Sequence, residues 1–257
     1  MGKYFVTEVK PTISAAQMAG NITNADILFD WFAFDVPKGP ARLIGMTVKY
    51  AGKDGADVTV IDFECFFAKS YLGDAPTTLG GDGGAVDTFG HWFHQIIGKT
   101  WVSAAYGGAN DGDLVKGNIV SVGRIGGGIA DGQVTNNQAA NTGLVMQGEP
   151  DSGTNVGYDK LYVAGISKGT ANWASTMQIG TETVTTSPVV TVKTIDADIA
   201  LNPGDIIKDE DGQLLGTIKS IDSTTQVTLE DNCANVSAVN KVIRNVTPIT
   251  LIMSWEK

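Results

Sequence analysis

Histidine and cysteine are nearly missing from this sequence of 257 residues, which has two of each. Cys65 and Cys233 stand far apart, and Cys65 lies in the apolar run DFECFFAK, where a buried free thiol is ordinary. Disulfide frameworks use more cysteines in shorter chains, so no disulfide is expected. His91 and His94 are the only histidines, and no cysteine stands near them. A metal centre needs further ligands, so these two side chains are read as aromatic packing with polar tips. Long apolar runs are missing too. No window approaches the roughly 20 apolar residues of a membrane span. The opening MGKYFVTEVKPTISAAQ has no apolar stretch of signal-peptide length. The expectation is synthesis in a reducing cytoplasm and no membrane partner. Positive charge is scarce: 18 Lys+Arg against 28 Asp+Glu give a net charge of -10. Such a surface repels phosphate backbones and argues against nucleic acid as a partner. Helical periodicity of useful length is absent throughout.

What is present is glycine, 32 residues, and a hydrophobic fraction of 42%, enough for a sizeable core. The glycines follow no collagen-like period and point to turns and long loops. ILFDWFAFDVP (27–37) is dense in strand-favouring residues. Simple alternation puts Phe32, Phe34 and Val36 on one face and Phe29, Trp31 and Ala33 on the other. A strand apolar on both faces is covered on both sides. Pro37-Lys38-Gly39-Pro40 ends it in a turn. ARLIGMTVKYAG (41–52) alternates, with Ile44, Met46, Val48 and Tyr50 sharing a face. DVTVIDFECFFAKSY (57–71) reads as a long strand whose apolar phase slips between Val60 and Ile61, as at a β-bulge. Three such strands joined by tight turns predict an antiparallel meander. Residues 1–25 read as a polar arm with few apolar anchors, and 89–106 fits either a strand pair or a short helix.

The candidate chemistry is weak on inspection. Asp82, Asp87, Asp111 and Asp113 sit in glycine loops, but the spacing fails the EF-hand pattern, and Ala85 stands where a GGxGxD repeat needs aspartate. GRIGGG (123–128) lacks the strand and helix of a dinucleotide loop. GISKG (165–169) is not a nucleophile elbow. Asp62 and Glu64 share a strand face with no sign of the opposed carboxylate a glycosidase requires. The expectation is a protein that is not an enzyme, with no catalytic residues, no cofactor and no metal.

From Ser187 the style changes to four or five short strands with regular turns, among them GDIIKDEDGQLLGTIKSID around Asp211-Gly212. Closely spaced short strands predict a small SH3-like or KOW-like barrel. The last stretch, TPITLIMSWEK (247–257), puts Ile249, Leu251, Met253 and Trp255 on one face, more than a tiny barrel needs. The predicted fold class is therefore all-β, an antiparallel β-sandwich with the small barrel inserted near the C-terminus. Its parts are a body over 1–186 with an N-terminal arm and glycine-rich loops, a barrel over 187–246, and a final strand, 247–257, returning to the body.

The C-terminal segment resembles the ending of structural proteins from tailed bacteriophages, particularly marine and cyanobacterial ones. The pattern is matched at Gly204-Asp205, Asp211-Gly212, Gly216-Thr217-Ile218, Val227-Thr228-Leu229 and Pro248 to Lys257. FDWFAFDVPKGPARLIG and FFAKSYLG resemble such proteins more loosely, and residues 72–157 add nothing. The resemblance implies a virion protein without catalytic residues, made in the host bacterial cytoplasm. Its implied role is head decoration (cement) on the outer capsid surface. The implied partners are the major capsid protein and further copies of itself as a homo-oligomer, a trimer at threefold positions. Phe29, Trp31, Phe32, Phe34, Trp92 and Trp101 are the candidate interface residues. Loops and the N-terminal arm would span capsomer boundaries. One alternative is a tail-tube, tail-tip or fibre protein. The other is a carbohydrate-binding β-sandwich module stacking sugars on Trp92, Trp101 and Trp173.

Overall fold

The fold is taken from a computed structural model that describes residues 2–14, 17–54, 60–81, 83–87, 90, 92–102, 117–122 (backbone alone), 143–150 and 158–257. The first strands are β1 (Tyr4–Val9), β2 (Asn21–Ile22), β3 (Ile27–Pro37), β4 (Ala41–Ala51), β5 (Phe63–Lys69) and β6 (Ile96–Val102). There follow β7 (Gly117–Val122), β8 (Leu144–Met146), β9 (Tyr158–Ser167), β10 (Ala171–Asn172) and β11 (Gln178–Ile179). The C-terminal part holds β12 (Val189–Lys193), the single turn of helix α1 (Ala197–Ala200), β13 (Ile206–Asp209), β14 (Leu214–Ser223), β15 (Gln226–Leu229), β16 (Ile243–Asn245) and β17 (Ile249–Glu256). The chain is all-β, as its composition predicts.

Two antiparallel sheets share the larger core. One has the order β1-β17-β4-β7, with β8 also on β4; the other runs β3-β9-β5-β6. Val48, Tyr50, Leu251, Met253 and Trp255 from the first meet Phe34, Phe63, Phe67, Leu161 and Val163 from the second, all buried. Each such side chain contributes on the order of 1.5–3 kcal/mol by leaving water. The expected meander is not formed. β3 and β4 belong to different sheets, because the Pro37–Pro40 turn carries the chain across the sandwich instead of back along one sheet. The third strand is also shorter than expected: β5 begins at Phe63, and residues 60–62 precede it. Its register shift falls at Phe67/Ala68, against β6, and not at Val60/Ile61. In β4 a register shift opposite Ser254/Trp255 turns Leu43 into the core, fully buried, in place of the expected Ile44.

The C-terminal strands form a separate sheet, β11-β12-β15-β14-β13-β16, around a second core of Met177, Val190, Val192, Ile207, Leu215, Ile218, Val227, Leu229 and Ile243. The ends of this ladder meet: the Ile179 N–H donates to the Lys241 carbonyl at 2.9 Å, and the Ile243 N–H to the Met177 carbonyl at 2.9 Å. Sheet and core thus take in Met177 and Ile179, upstream of the expected start at 187. β17 then lies between β1 and β4, with Ile249, Leu251, Met253 and Trp255 fully buried.

Residues 4–14 and 17–22 are not a free arm. Tyr4–Val9 is a sheet strand, and Ile13, Met18 and Ile22 are buried in the larger core. Lys10 reaches across to Asp205 at 3.3 Å, and the Ile13 N–H donates to the Val246 carbonyl at 2.7 Å. Those contacts tie the N-terminal segment to the C-terminal sheet.

Candidate interaction surface

β3 is the most apolar strand, and two register shifts against β9, between Ile27 and Phe29 and between Phe29 and Phe32, decide its faces. Each adds a residue to β3 and reverses the alternation. Phe29 consequently joins Phe34 in the larger core, where its ring meets Phe63 edge to face at 5.9 Å. It also lies over Gly165, where a Cβ would stand 2.4 Å from the ring, so a side chain at that position is excluded. Ile27 and Trp31 face the other way, onto a small cluster with Leu79, Val86, Trp92, Ala164 and Ile166. The second face of β3 is therefore covered in part by the chain's own Leu79, Val86 and Trp92, while Ala33 and Asp35 further along the strand stay exposed. Leu79 and Val86 belong to the glycine-rich stretch that the sequence marks as a loop. It is held by the Ile27 N–H donating to the Gly84 carbonyl at 2.9 Å and by the Asp87 N–H donating to the Leu79 carbonyl at 2.7 Å.

The residues expected at an interface are thus dispersed. Phe29 and Phe34 are core residues, 2% and 7% exposed, and are withdrawn as surface contacts. Phe32 packs half-buried against the larger core, Trp31 and Trp92 against the small cluster, and Trp101 is half-buried on β6 opposite Glu64. Trp173 is buried in the larger core and cannot stack a sugar.

A different apolar surface stands out where β5 ends. Tyr71 and Asp74 exchange backbone hydrogen bonds of 2.9 and 3.0 Å across a two-residue turn. Its central residues, Leu72 and Gly73, have φ of 53° and 89°. Positive φ at both central residues matches the type I′ turn, which prefers asparagine or glycine where leucine stands here. Leucine in the left-handed region costs on the order of 1–2 kcal/mol. Leu72 gains no burial in return, since 82% of it is exposed. Phe93 (77% exposed) and Tyr71 (52% exposed) accompany it, and His94 meets the Tyr71 ring edge-on at 4.9 Å. The base is rigid. Buried Gln95 donates through Nε2 to the carbonyls of Lys69 at 3.3 Å and Asp74 at 3.1 Å. Lys69 is paired with Glu149 at 2.5 Å. No propensity rule marks a leucine for this role; the only sequence signal was the turn chemistry of Gly73-Asp74.

The buried polar groups hold the fold. Asp209 accepts from the amides of Asp211 and Gln213 at 3.0 and 2.9 Å and from Ser237 Oγ at 2.8 Å. It organises the turn at Gly212, whose φ is 80°. Asp205 accepts from Lys10, from the Asn202 amide and from Asn245 Nδ2. Burial raises its pKa above the ordinary carboxylate value, against the opposing pull of Lys10 and those amides. Cys65 and Cys233 are free and buried, and burial holds the Cys65 thiol far above its usual value. Burial, then the charges of Cys65 and Asp62, likewise raise Tyr50, whose hydroxyl donates to the Ile61 carbonyl at 2.9 Å. Glu64 is paired with Lys99 at 3.4 Å and Lys168 at 3.2 Å.

Among the described residues no three His, Cys, Asp or Glu side chains gather as a metal site would require, and no helix is long and apolar enough to cross a membrane. His91, Asp82, Asp111, Asp113 and the GRIGGG stretch lie outside the described residues. No protein family matches the chain, and no curated protein matches it either.

Proposed function

We propose that this chain is a non-enzymatic structural protein of a tailed-bacteriophage head. In this reading it is a decoration (cement) protein that sits on the outer capsid surface, self-associates, and stabilises the shell by bridging copies of the major capsid protein. The observation that carries the binding role is the Tyr71–Asp74 turn. A strained leucine projecting into solvent next to exposed Tyr71 fits a contact made with a partner, because among the described residues no burial offsets its cost. The C-terminal resemblance supplies the virion context. The residues that carry it have structural work: Gly204 and Gly212 adopt φ of 82° and 80°, Asp205 anchors Lys10, and Ile249 to Glu256 is an inner strand of the larger sheet. The acidic balance, net -10, favours the outside of a shell over its DNA-facing side.

The test is mass spectrometry of purified virions with copy number measured against the major capsid protein, followed by capsid binding of Leu72→Asn. A copy number on the scale of the shell protein, with binding lost in the variant, supports the proposal. A few copies per particle would move the protein to the tail tip or a fibre. Absence from virions would end the virion reading.

A further inference from the structure

We propose that Lys10 and Asp205 condense into an isopeptide bond, an internal covalent cross-link between the N-terminal segment and the C-terminal sheet. Lys10 Nζ stands 3.3 Å from Asp205 Oδ1. Lys10 directly follows β1 and Asp205 directly precedes β13, so the pair links the two sheets. Asp205 differs from the other described ion-paired carboxylates by its burial. Its side chain is 4% exposed, whereas those of Glu64, Glu149, Glu256 and Asp211 are 16 to 53% exposed. The amine is also held in place. Nζ donates to the Pro203 carbonyl at 3.3 Å and lies over Gly204, where a Cβ would stand 3.0 Å from it. The other carboxyl oxygen, Oδ2, accepts from the Asn202 N–H at 2.9 Å and from Asn245 Nδ2 at 2.8 Å. Asn245 keeps that orientation because its Oδ1 accepts from the Thr247 N–H at 2.9 Å. A nucleophile at one oxygen and two fixed N–H donors on the other is the arrangement that acyl transfer requires.

The step balances without a co-reactant. The Lys10 ammonium passes one proton to Oδ1, which leaves an amine beside a neutral carboxyl. Burial favours that neutral acid, since it raises the Asp205 pKa against the pull of Lys10. Nζ then attacks Cγ, and the charge of the tetrahedral intermediate falls on Oδ2, where the Asn202 and Asn245 N–H groups already point. Oδ1 takes a second proton from the nitrogen and leaves as water. The Cγ–Nζ bond forms, the Cγ–Oδ1 bond breaks, and nothing is oxidised or reduced. A neutral amide thereby replaces a buried ion pair and removes the cost of holding a carboxylate away from water. The Lys10 side chain, 24% exposed, gives the released water a way out. The acid titration of Asp205 belongs to the chain before this step. Afterwards two residues 195 positions apart stay joined even when the rest of the chain unfolds. The bond involves no partner, so its failure and the failure of the virion reading are separate results.

Intact-mass spectrometry of the purified full chain under denaturing conditions should read one water below the mass of its sequence. Proteolytic digestion should then yield a branched peptide in which Lys10 is joined to Asp205. Lys10→Arg keeps the positive charge but removes the amine, and should read the full sequence mass. Asn245→Ala removes one of the two donors on Oδ2 and should slow the loss of water by about a hundredfold, timed from cell-free synthesis. If Lys10→Arg fails to fold, the branched peptide of the wild-type chain decides the question alone. A wild-type chain that keeps its full sequence mass at every time would overturn the proposal. So would a loss of water that persists in Lys10→Arg, because a succinimide at Asp211-Gly212 loses the same mass without Lys10. A branch that joins any other pair of residues would overturn it as well.

Discussion

The indole rings of Trp31 and Trp92 meet edge to face, with centroids 6.3 Å apart and planes at 60°. Trp92 precedes β6, and Trp31 lies on the outward face of β3, so this contact covers part of that face from within the chain. Trp31 is consequently a stability residue. Trp31→Ala should destabilise the fold by about 2 kcal/mol, below the range for a fully buried tryptophan because Trp31 is half-buried. Trp31→Asp should cost more, by setting a charge against Leu79 and Trp92. Urea unfolding of the two variants checks the size and order of the losses; two unchanged midpoints would show that the cluster contributes nothing.

Leu72 predicts the opposite sign. Asparagine tolerates the left-handed backbone that leucine resists, and the leucine side chain is exposed. Leu72→Asn should therefore raise stability by about 1 kcal/mol. The same substitution should weaken attachment to capsids. A stabilised variant with unchanged capsid occupancy would leave the strain without a function.

The strands that were legible in the sequence are those whose alternation is unbroken on the core side. β17 is the clearest: Ile249, Leu251, Met253 and Trp255 announce their face and keep it. β3 and β4 misled because bulges change phase without any compositional mark, moving Phe29 inward and substituting Leu43 for Ile44. The Pro37–Pro40 turn marks a reversal but not whether the chain returns to the same sheet, and so the meander was wrong. Residues 1–25 read as polar because Ile13, Met18 and Ile22 are widely spaced anchors with no shared period. The exposed surface was the least legible part. Aromatic density pointed to Phe29 and Phe34, which are core, while Leu72 is conspicuous only through its backbone angle and exposure.

Asp209 should be the most sensitive polar position in the C-terminal sheet. It is 1% exposed and accepts three hydrogen bonds, from the amides of Asp211 and Gln213 and from Ser237. Asp209→Ala strands these donors and should cost about 3 kcal/mol. Asp209→Asn keeps an acceptor and should cost less. Hydrogen exchange at the Asp211 and Gln213 amides locates the effect: both should lose protection first in the alanine variant. Unchanged protection would show that the turn is held by Gly212 alone.

Asp205 gives the pH dependence. Burial raises its folded pKa above the ordinary 3.8 of an unfolded aspartate. The folded chain therefore takes up this proton at higher pH than the unfolded chain, so in the window between the two values folding is linked to proton uptake. Asp205 accordingly adds stability as pH falls through that window. Its contribution is complete below 3.8 and is lost as pH rises through the raised folded value. Asp205→Asn has no such proton. The stability gap between wild type and Asp205→Asn should widen on acidification through the window and then stay constant. Paired thermal melts across the acid range, with direct titration of the carboxyl by NMR, measure both quantities. A gap that narrows on acidification would mean that Lys10, 3.3 Å away, and the amides at Asn202 and Asn245 outweigh burial and hold the carboxylate charged.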